Sequence, residues 1–206
     1  MSANGHTTPN NGHTNNTQNR TVFGTATTPT KSELDHPHAA NQTSSSTPRS
    51  VIIGLDVSER RIGYCIADYD SGQPLNTGTI HTPAGEDLHA RVNAWTQISH
   101  TANQTGDIQL VIIEAPWSGP NKQRNLTHAL AIGNLAGIAA ARLGSTVLVD
   151  TIQPATWRRL CNLPTRGKEP VRTWAVQRLG TNIDQDQADA LGIATAAHQI
   201  AWEGHL

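Results

Sequence analysis

The sequence predicts an α/β domain in which a mixed five-stranded sheet is flanked by helices. Two short apolar runs, VIIGL at 51–55 and QLVII at 109–113, are typical of buried strands because they are continuous and rich in β-branched residues. Two further strands follow the first run as a meander, and the later strands alternate with helical segments. Strands that first form a meander and then alternate with helices predict a mixed sheet with helices on its faces.

Five segments have strand character. The first and fourth are apolar throughout, and Pro116 limits the fourth because proline lacks the backbone donor that a sheet requires. A turn at Ser71-Gly72 joins the second and third strands. The predicted strands are 51–55, 61–69, 75–82, 109–113 and 145–149.

Five segments have helical character. Gly144 and Gly180 directly follow two of them, which is the position expected for a C-cap glycine. Asp184 and Asp186 are both candidate N-caps for the last helix. The predicted helices are 88–101, 125–143, 154–160, 169–179 and 185–202.

The chain changes in composition near residue 50. Residues 1–49 contain 11 Thr, 7 Asn and 5 Ser, and beyond Met1 their large apolar residues are Val22, Phe23 and Leu34. Such a segment buries too little apolar surface to offset the entropy of ordering it, so we predict a disordered tail. Residues 50–206 form the predicted globular domain. The sequence does not indicate whether the tail binds a protein partner.

Charge and cysteine content narrow the class of protein. The net charge is −1 and the pI about 6.8, so no overall basic field indicates a nucleic-acid partner, although a basic groove can exist on a neutral protein. Cys65 and Cys161 stand alone, which argues against a disulfide framework and a cysteine zinc site. We expect no apolar run of membrane-spanning length and no secretory signal, hence a soluble cytoplasmic protein.

Four carboxylates occupy positions that favour a metal site. Asp56 follows the first strand and Glu114 the fourth, while Asp186 and Asp189 lie three residues apart and therefore on one face of the last helix. Oxygen ligands of this kind suit Mg²⁺ or Mn²⁺, and a pair of such ions supports in-line cleavage of a phosphodiester. Individually, Asp56 is also compatible with a turn, and the helix aspartates with a helix N-terminus.

The order of these motifs resembles a known family. The segment IIGLDVSERRIGYCIAD is similar to the first hairpin of the RuvC-type Holliday junction resolvases, which have the RNase H-like fold. In that family an Asp ends the first strand, a Glu with an aromatic residue three positions later ends the fourth, and D-x-x-D-A-L opens the last helix. Asp56, Glu114, Trp117, Asp186 and Asp189 match those positions. The small-residue helix NLTHALAIGNLAGIAAARLG matches as well, and the resemblance covers residues 50–206.

Two features depart from the family pattern. Val57-Ser58 stands where the family usually has Pro-Gly, and the Lys- and Gly-rich segment before the penultimate helix appears as LPTRGKEP. The hairpin also resembles the YqgF nucleases, which typically lack a Glu at the end of the fourth strand, so Glu114 favours the RuvC type.

The resemblance implies a magnesium-dependent crossover junction endonuclease acting in DNA recombination and repair. It implies that Asp56, Glu114, Asp186 and Asp189 are both catalytic residues and ligands of two Mg²⁺ ions per active site, with Mn²⁺ as a substitute. Symmetrical nicking of a four-way junction requires two active sites, hence a homodimer. The long second helix is the expected dimer interface.

DNA contacts require cations for phosphates and planar groups for bases. Trp117 lies in a loop beside Glu114, and an aromatic residue at this place in RuvC-like proteins stacks on an unpaired base. For the basic stretch in the second half of the chain, a solvated helix face is an equally good interpretation, and Trp157 and Trp174 are expected in the core. The other candidate contacts are Asn121, Lys122, Arg124, Arg158, Arg159, Arg166, Lys168 and Arg172.

Three alternatives remain open at this stage. A YqgF- or RNase H-type nuclease acting on RNA would share the metals, and a general nuclease for branched DNA would lack strict symmetry. A catalytically silent RNase H-like scaffold would bind nucleic acid without cutting it. The presence of all four carboxylates favours an enzyme, since four unneutralised acids repel phosphate.

Overall fold

The computed structural model describes residues 48–83, 88–116 and 122–204. These described residues form five strands and five helices, in the predicted order. Numbered along the chain, the strands are β1 Ser50–Val57, β2 Arg61–Asp68, β3 Pro74–His81, β4 Asp107–Glu114 and β5 Leu148–Ile152. The helices are α1 Leu88–Thr105, α2 Lys122–Leu143, α3 Pro154–Leu160, α4 Glu169–Leu179 and α5 Gln185–Trp202.

The strands form one mixed sheet in the order β3-β2-β1-β4-β5. β1, β2 and β3 are antiparallel neighbours, whereas β4 is parallel to β1 and β5 is parallel to β4. The prediction of a mixed five-stranded sheet flanked by helices is therefore confirmed. The carboxyl ends of β1 and β4 lie side by side, which determines where the acidic residues meet.

Two apolar clusters cover the two faces of the sheet. One joins alternate residues of the central strands, such as Ile52 and Leu110, to α3, α4 and α5, and Trp157 lies fully buried within it. The other joins Ile53 and Val111 to α1 and α2. The alternation follows from the period of two along a strand, because successive side chains point to opposite faces.

Helix α5 contacts the sheet closely through small residues. A Cβ atom added to Gly54 would lie 2.5 Å from the Ala194 nitrogen and 2.6 Å from the Ala190 oxygen. Only glycine on β1 and alanine on α5 permit this approach of the two backbones. The close packing holds the middle of α5 against the middle of β1.

The N-cap of α5 is Asp184. Its carboxylate accepts a hydrogen bond from the Gln187 backbone nitrogen at 2.8 Å, while the Gln187 side chain accepts one from the Asp184 nitrogen at 3.0 Å. Thr79 on β3 donates to the same carboxylate at 2.8 Å. Because this capping box satisfies the helix terminus, Asp186 is free for another role.

The fifth strand differs from its prediction. It spans Leu148–Ile152 rather than 145–149, and pairing with β4 continues up to Ile152 opposite Glu114. The strand lies at the sheet edge and is largely exposed, so an apolar run does not mark its limits. β1 is likewise longer than its apolar run, which places Asp56 inside the strand, paired with Gly63, rather than after it.

Helix α2 contradicts the expectation that no apolar segment reaches membrane-spanning length. Its residues 125–143 are long and apolar enough to cross a membrane by length and composition alone. However, one face of the helix, including Ile132 and Leu135, is buried against the sheet. This packing is that of a helix covering a sheet, and it leaves the opposite apolar face uncovered.

Candidate active site

Asp56 and Glu114 lie at equivalent ends of neighbouring parallel strands. Asp56 is the penultimate residue of β1, and Glu114 is the last residue of β4. The register pairs Leu55 with Ile113, so the next residues along the two strands are these two acids. Their proximity follows from the sheet topology, because the carboxyl ends of parallel strands share one edge.

Helix α5 brings Asp186 and Asp189 to the same place. Asp186 packs over Gly63, the residue paired with Asp56, and a Cβ atom on Gly63 would lie 2.9 Å from the Asp186 Cβ. Asp186 is only 9% exposed, which is rare for an aspartate. Asp189 is close enough for its charge to raise the pKa of both Asp56 and Glu114, so all four predicted carboxylates are brought together at one end of the sheet.

The carboxylates raise one another's pKa. Burial is the largest cause of a raised pKa at each of the four positions. At Asp56 the charges of Glu114, Asp189 and Asp186 raise the pKa further, to well above its usual value, and the Arg61 charge lowers it. Like charges held this close do not stabilise the fold. Clusters of this kind are typical of functional sites.

Glu114 and Asp189 each accept a hydrogen bond from an uncharged side chain. Glu114 accepts a hydrogen bond from the Trp157 indole nitrogen at 2.8 Å, and Asp189 accepts one from Gln185 at 3.0 Å. These neutral donors hold the carboxylates in place without cancelling their charge. Both contacts lower the pKa of the carboxyl that they reach, in opposition to the effect of burial.

Two arginines border the cluster at different distances. Arg158 Nη2 lies 3.7 Å from Asp189 Oδ1, and Arg61 Nε lies 2.9 Å from Asp186 Oδ2. Both of these carboxylate oxygens are buried, and neither accepts a well-aligned hydrogen bond. Buried acceptors left in this state carry a desolvation cost that a cation would remove.

The donor set fits a hard divalent cation in its chemistry. It consists of carboxylate oxygens, two of which are buried and accept no well-aligned hydrogen bond, and it contains no nitrogen or sulfur ligand. Within the three described ranges, no three Asp, Glu, His or Cys side chains are grouped at coordination geometry. In this arrangement Asp186 contacts Arg61, and Glu114 contacts Trp157.

The predicted DNA-contacting residues fall into three groups. Trp117 and Asn121, and the side chain of Arg124, lie outside the described residues. Lys122, Arg159, Arg166 and Lys168 are exposed, as a phosphate contact requires. Arg158 and Arg172 are engaged within the protein.

Arg158 and Arg172 contact the backbone of segments next to the site. Arg158 is 13% exposed, donates to the Gly167 carbonyl at 2.9 Å and stacks on the Trp157 ring at 4.8 Å. Arg172 donates to the Ile183 carbonyl at 3.2 Å, just before α5. These contacts order the loop before α4 and the start of α5. A DNA contact by either arginine remains a prediction.

The burial of Trp157 confirms that it is a core residue, and its contact with Glu114 gives it a role at the site that the sequence does not indicate. The indole is fully buried on α3 and reaches Glu114 on β4. A Cβ atom on Gly192 would lie 2.5 Å from this ring, so glycine at that position of α5 makes room for the tryptophan. Nothing in the spacing of Glu114, Trp157 and Gly192 along the chain indicates this contact.

Replacing Trp157 with Phe is expected to raise the pKa of Glu114 further, because the carboxylate loses a hydrogen bond to its charged form. The measurement is an NMR titration of carbon-13-labelled glutamate carboxyls. Trp174→Phe is the matched control, since Trp174 on α4 contacts Arg178 rather than Glu114. An unchanged Glu114 titration in Trp157→Phe would show that the hydrogen bond contributes nothing in solution.

No protein-family profile and no curated protein matches the sequence. Solved structures do match. RuvC of Thermus thermophilus, solved in complex with a Holliday junction substrate, is 19% identical, with a TM-score of 0.59 over 75% of this chain and 96% of that chain. The yeast mitochondrial Holliday junction resolvase Ydc2 is 14% identical, with a TM-score of 0.52 over 79% of this chain and 83% of that chain.

This chain has the RuvC fold. The RNase H-like architecture predicted from the sequence is thereby confirmed, and so is the resemblance to the RuvC resolvases. At 14–19% identity the likeness establishes the fold, and the roles of individual residues rest on the geometry described above.

Proposed function

We propose that this protein is a magnesium-dependent endonuclease that resolves four-way DNA junctions. The convergence of Asp56, Glu114, Asp186 and Asp189 at one end of the sheet carries the proposal, because no structural role explains a cluster in which burial and three neighbouring carboxylates raise the pKa of Asp56. The fold is that of RuvC, one of whose structures contains a Holliday junction substrate. Recombination and repair of DNA inside the cell is the corresponding process.

In this proposal the four carboxylates hold two Mg²⁺ ions, with Mn²⁺ as a substitute. Ions bound there would supply two things, activation of a water for attack on the scissile phosphate and stabilisation of the departing 3′ oxygen. The chain's own residues fix the geometry: Trp157 orients Glu114, Gln185 orients Asp189, and the capping box at Asp184 fixes the first turn of α5. Such preorganisation is what positions a phosphodiester for in-line cleavage.

The substrate contacts are proposed from charge and exposure. Lys122 and Arg159 are exposed, and so are Arg166 and Lys168 in the loop before α4. Together with Arg124, Asn121 and a Trp117 that stacks on an unpaired base, they would surround the acidic centre with phosphate-binding groups. Residues 50–206 form the nuclease domain in this proposal, and residues 1–49 are a tail that cleavage does not require.

The outer face of α2 supports a homodimer. Leu126 and Leu130 are 55% and 39% exposed, and Gly133 and Gly137 on the same stripe have no atom within 4 Å of a built Cβ. A stripe of leucine followed by glycine at helical spacing allows two helices to approach closely. A second copy of the chain would also supply the second active site for paired nicks.

Leu126→Glu is therefore expected to convert the dimer into a monomer, because a buried unpaired charge at an apolar interface costs several kcal/mol. Molar mass is measured by light scattering at micromolar concentration. Leu88→Glu on α1 is the matched control, since Leu88 is 53% exposed and lies on another helix. A wild-type monomer, or a dimer that survives Leu126→Glu, would contradict the proposed interface.

The function is tested by cleavage of four substrates in Mg²⁺: a four-way DNA junction, a branched flap, linear duplex DNA and an RNA–DNA hybrid. We expect nicks on the junction alone. Cleavage of the hybrid would indicate an RNA-directed nuclease, and equal cleavage of the flap would indicate a general branched-DNA nuclease. Binding without cleavage would indicate a scaffold.

A further inference from the structure

An open cleft borders the active site on the side of the β1–β2 turn. It has a volume of about 570 Å³ and lies between this turn and the start of α2. Arg60, Arg61 and His128 line it, and so does one acidic residue, Glu59. His128 Nε2 lies 2.7 Å from the carbonyl oxygen of Val57, the residue after Asp56, so the cleft begins directly beside the carboxylates.

Arg61 belongs to both the cleft and the carboxylate cluster. Its Nε lies 2.9 Å from Asp186 Oδ2, while 49% of its side chain is exposed. Within the described residues, its guanidinium makes no other hydrogen bond or ion pair. A long, half-exposed side chain held by one contact is free to rotate into the cleft at little cost.

Arg158 provides the contrast on the opposite side of the cluster. It lies farther from its aspartate, at 3.7 Å, yet it is only 13% exposed and is fixed by the Gly167 carbonyl and the Trp157 ring. Arg158 is thus a permanent part of the site. Arg61 has the closer carboxylate contact and the looser surroundings, and this combination is expected of an exchangeable counterion.

We propose that Arg61 exchanges partners during the reaction cycle, an inference that rests on the proposed function. Without a divalent cation, it neutralises Asp186. When the cation binds, Asp186 turns to the ion, and Arg61 moves into the cleft, where it binds a phosphate of the DNA backbone. The cleft is therefore a phosphate subsite that becomes complete only in the cation-loaded protein.

Electrostatics explains why the two states exclude each other. A guanidinium and a divalent cation on one buried carboxylate repel each other strongly, so each weakens the binding of the other. A DNA phosphate in the cleft offers the displaced guanidinium the bidentate partner that arginine prefers. Arg60, exposed at the cleft wall, adds a second positive charge without contacting Asp186.

The exchange predicts effects of opposite sign on two equilibria. In Arg61→Gln, calorimetric titration with Mg²⁺ in the absence of DNA should show affinity about three- to tenfold higher than in the wild type, because the competing charge is gone. Arg60→Gln is the matched control and should change Mg²⁺ affinity by less than about twofold. Unchanged or weaker Mg²⁺ binding by Arg61→Gln would overturn the inference.

DNA binding is measured by fluorescence anisotropy of a labelled four-way junction. Ca²⁺, which takes the same oxygen ligands, replaces Mg²⁺, and a denaturing gel verifies that the DNA is intact. In Ca²⁺, Arg61→Gln should weaken binding about three- to tenfold and reduce the slope of log K against log salt by about 0.9. In EDTA it should change neither quantity, whereas Arg60→Gln should weaken binding in both buffers.

The outcomes separate this inference from the proposed function. Mg²⁺ binding by the wild type that Asp56→Asn abolishes supports the function, whichever way the Arg61 variants behave. Absence of such binding overturns both. Equal effects of Arg61→Gln in Ca²⁺ and EDTA would make Arg61 an ordinary phosphate contact and overturn the exchange alone. Arg61→Met, which keeps the aliphatic stem, serves if Arg61→Gln does not fold, and the same results are required of it.

Discussion

Asp56→Asn is expected to lower the rate of cleavage by on the order of 10³-fold. The same substitution is expected to stabilise the metal-free protein. Burial and three neighbouring carboxylates raise the pKa of Asp56 well above its usual value. Ionisation of Asp56 is therefore less favourable in the folded protein than in the unfolded chain. The neutral amide has no such ionisation and preserves the shape of the side chain.

The pH dependence of this stabilisation has a definite sign. A carboxyl whose pKa is higher in the folded than in the unfolded state lowers stability as pH rises above the unfolded value of about 3.9. The difference in Tm between Asp56→Asn and the wild type should thus be small near pH 4 and grow toward neutral pH. In a domain of this size, a gain of about 1 kcal/mol in the free energy of unfolding raises the Tm by about 2–4 °C.

Added Mg²⁺ should reverse the order of the two Tm values, so that the wild type becomes the more stable protein. It should raise the Tm of the wild type, because a ligand that binds only the folded state stabilises it, and it should leave Asp56→Asn nearly unchanged. Differential scanning calorimetry with and without Mg²⁺ measures both effects. A variant that is inactive and also less stable than the wild type at neutral pH would mean that Asp56 is a structural residue.

Gly63→Ala is expected to disable the site through the backbone. Gly63 is paired with Asp56, and a Cβ atom there would overlap the main-chain carbonyl of Asp186 and lie 2.9 Å from its Cβ. Main-chain atoms in the first turn of α5 cannot move aside as a flexible side chain can, so the turn must shift. A displacement of about 1 Å costs on the order of 10²-fold in rate, and overpacking costs about 1–3 kcal/mol of stability.

Gly78→Ala is the matched control for this substitution. Its added Cβ would meet the ring of Tyr64, at 2.5 Å from the hydroxyl oxygen, on β3 and away from the carboxylates. We expect a loss of stability in both variants and a loss of turnover per folded molecule only in Gly63→Ala. Turnover is measured at a temperature at which circular dichroism shows both variants to be folded. Full turnover by folded Gly63→Ala would contradict the proposed placement of Asp186.

Features that depend on residues close together in the chain could be predicted from the sequence. Apolar runs marked β1 and β4, and the acids at their ends followed from the runs themselves. The three-residue spacing of Asp186 and Asp189 placed both on one helical face. By contrast, β5 has few buried residues, so its limits were set by pairing with β4 rather than by its own pattern.

What the sequence did not indicate were contacts between distant segments. The Trp157–Glu114 hydrogen bond joins residues 43 positions apart, and it depends on the absence of a side chain at Gly192. The Arg61–Asp186 pair spans β2 and α5. No periodicity or motif encodes such pairs, because they arise only when the helix has packed on the sheet. These contacts also explain how the carboxylates are held.

Cleavage of a supercoiled plasmid carrying an extruded inverted repeat tests the central claim most directly. The repeat forms a four-way junction, and paired nicks across it release linear DNA, whereas a single nick releases an open circle. The account predicts linear product in Mg²⁺ with the wild type, none with Asp56→Asn, and none from a sister plasmid without the repeat. Open circles alone, or an uncut plasmid, would contradict the proposal of a symmetrical junction resolvase.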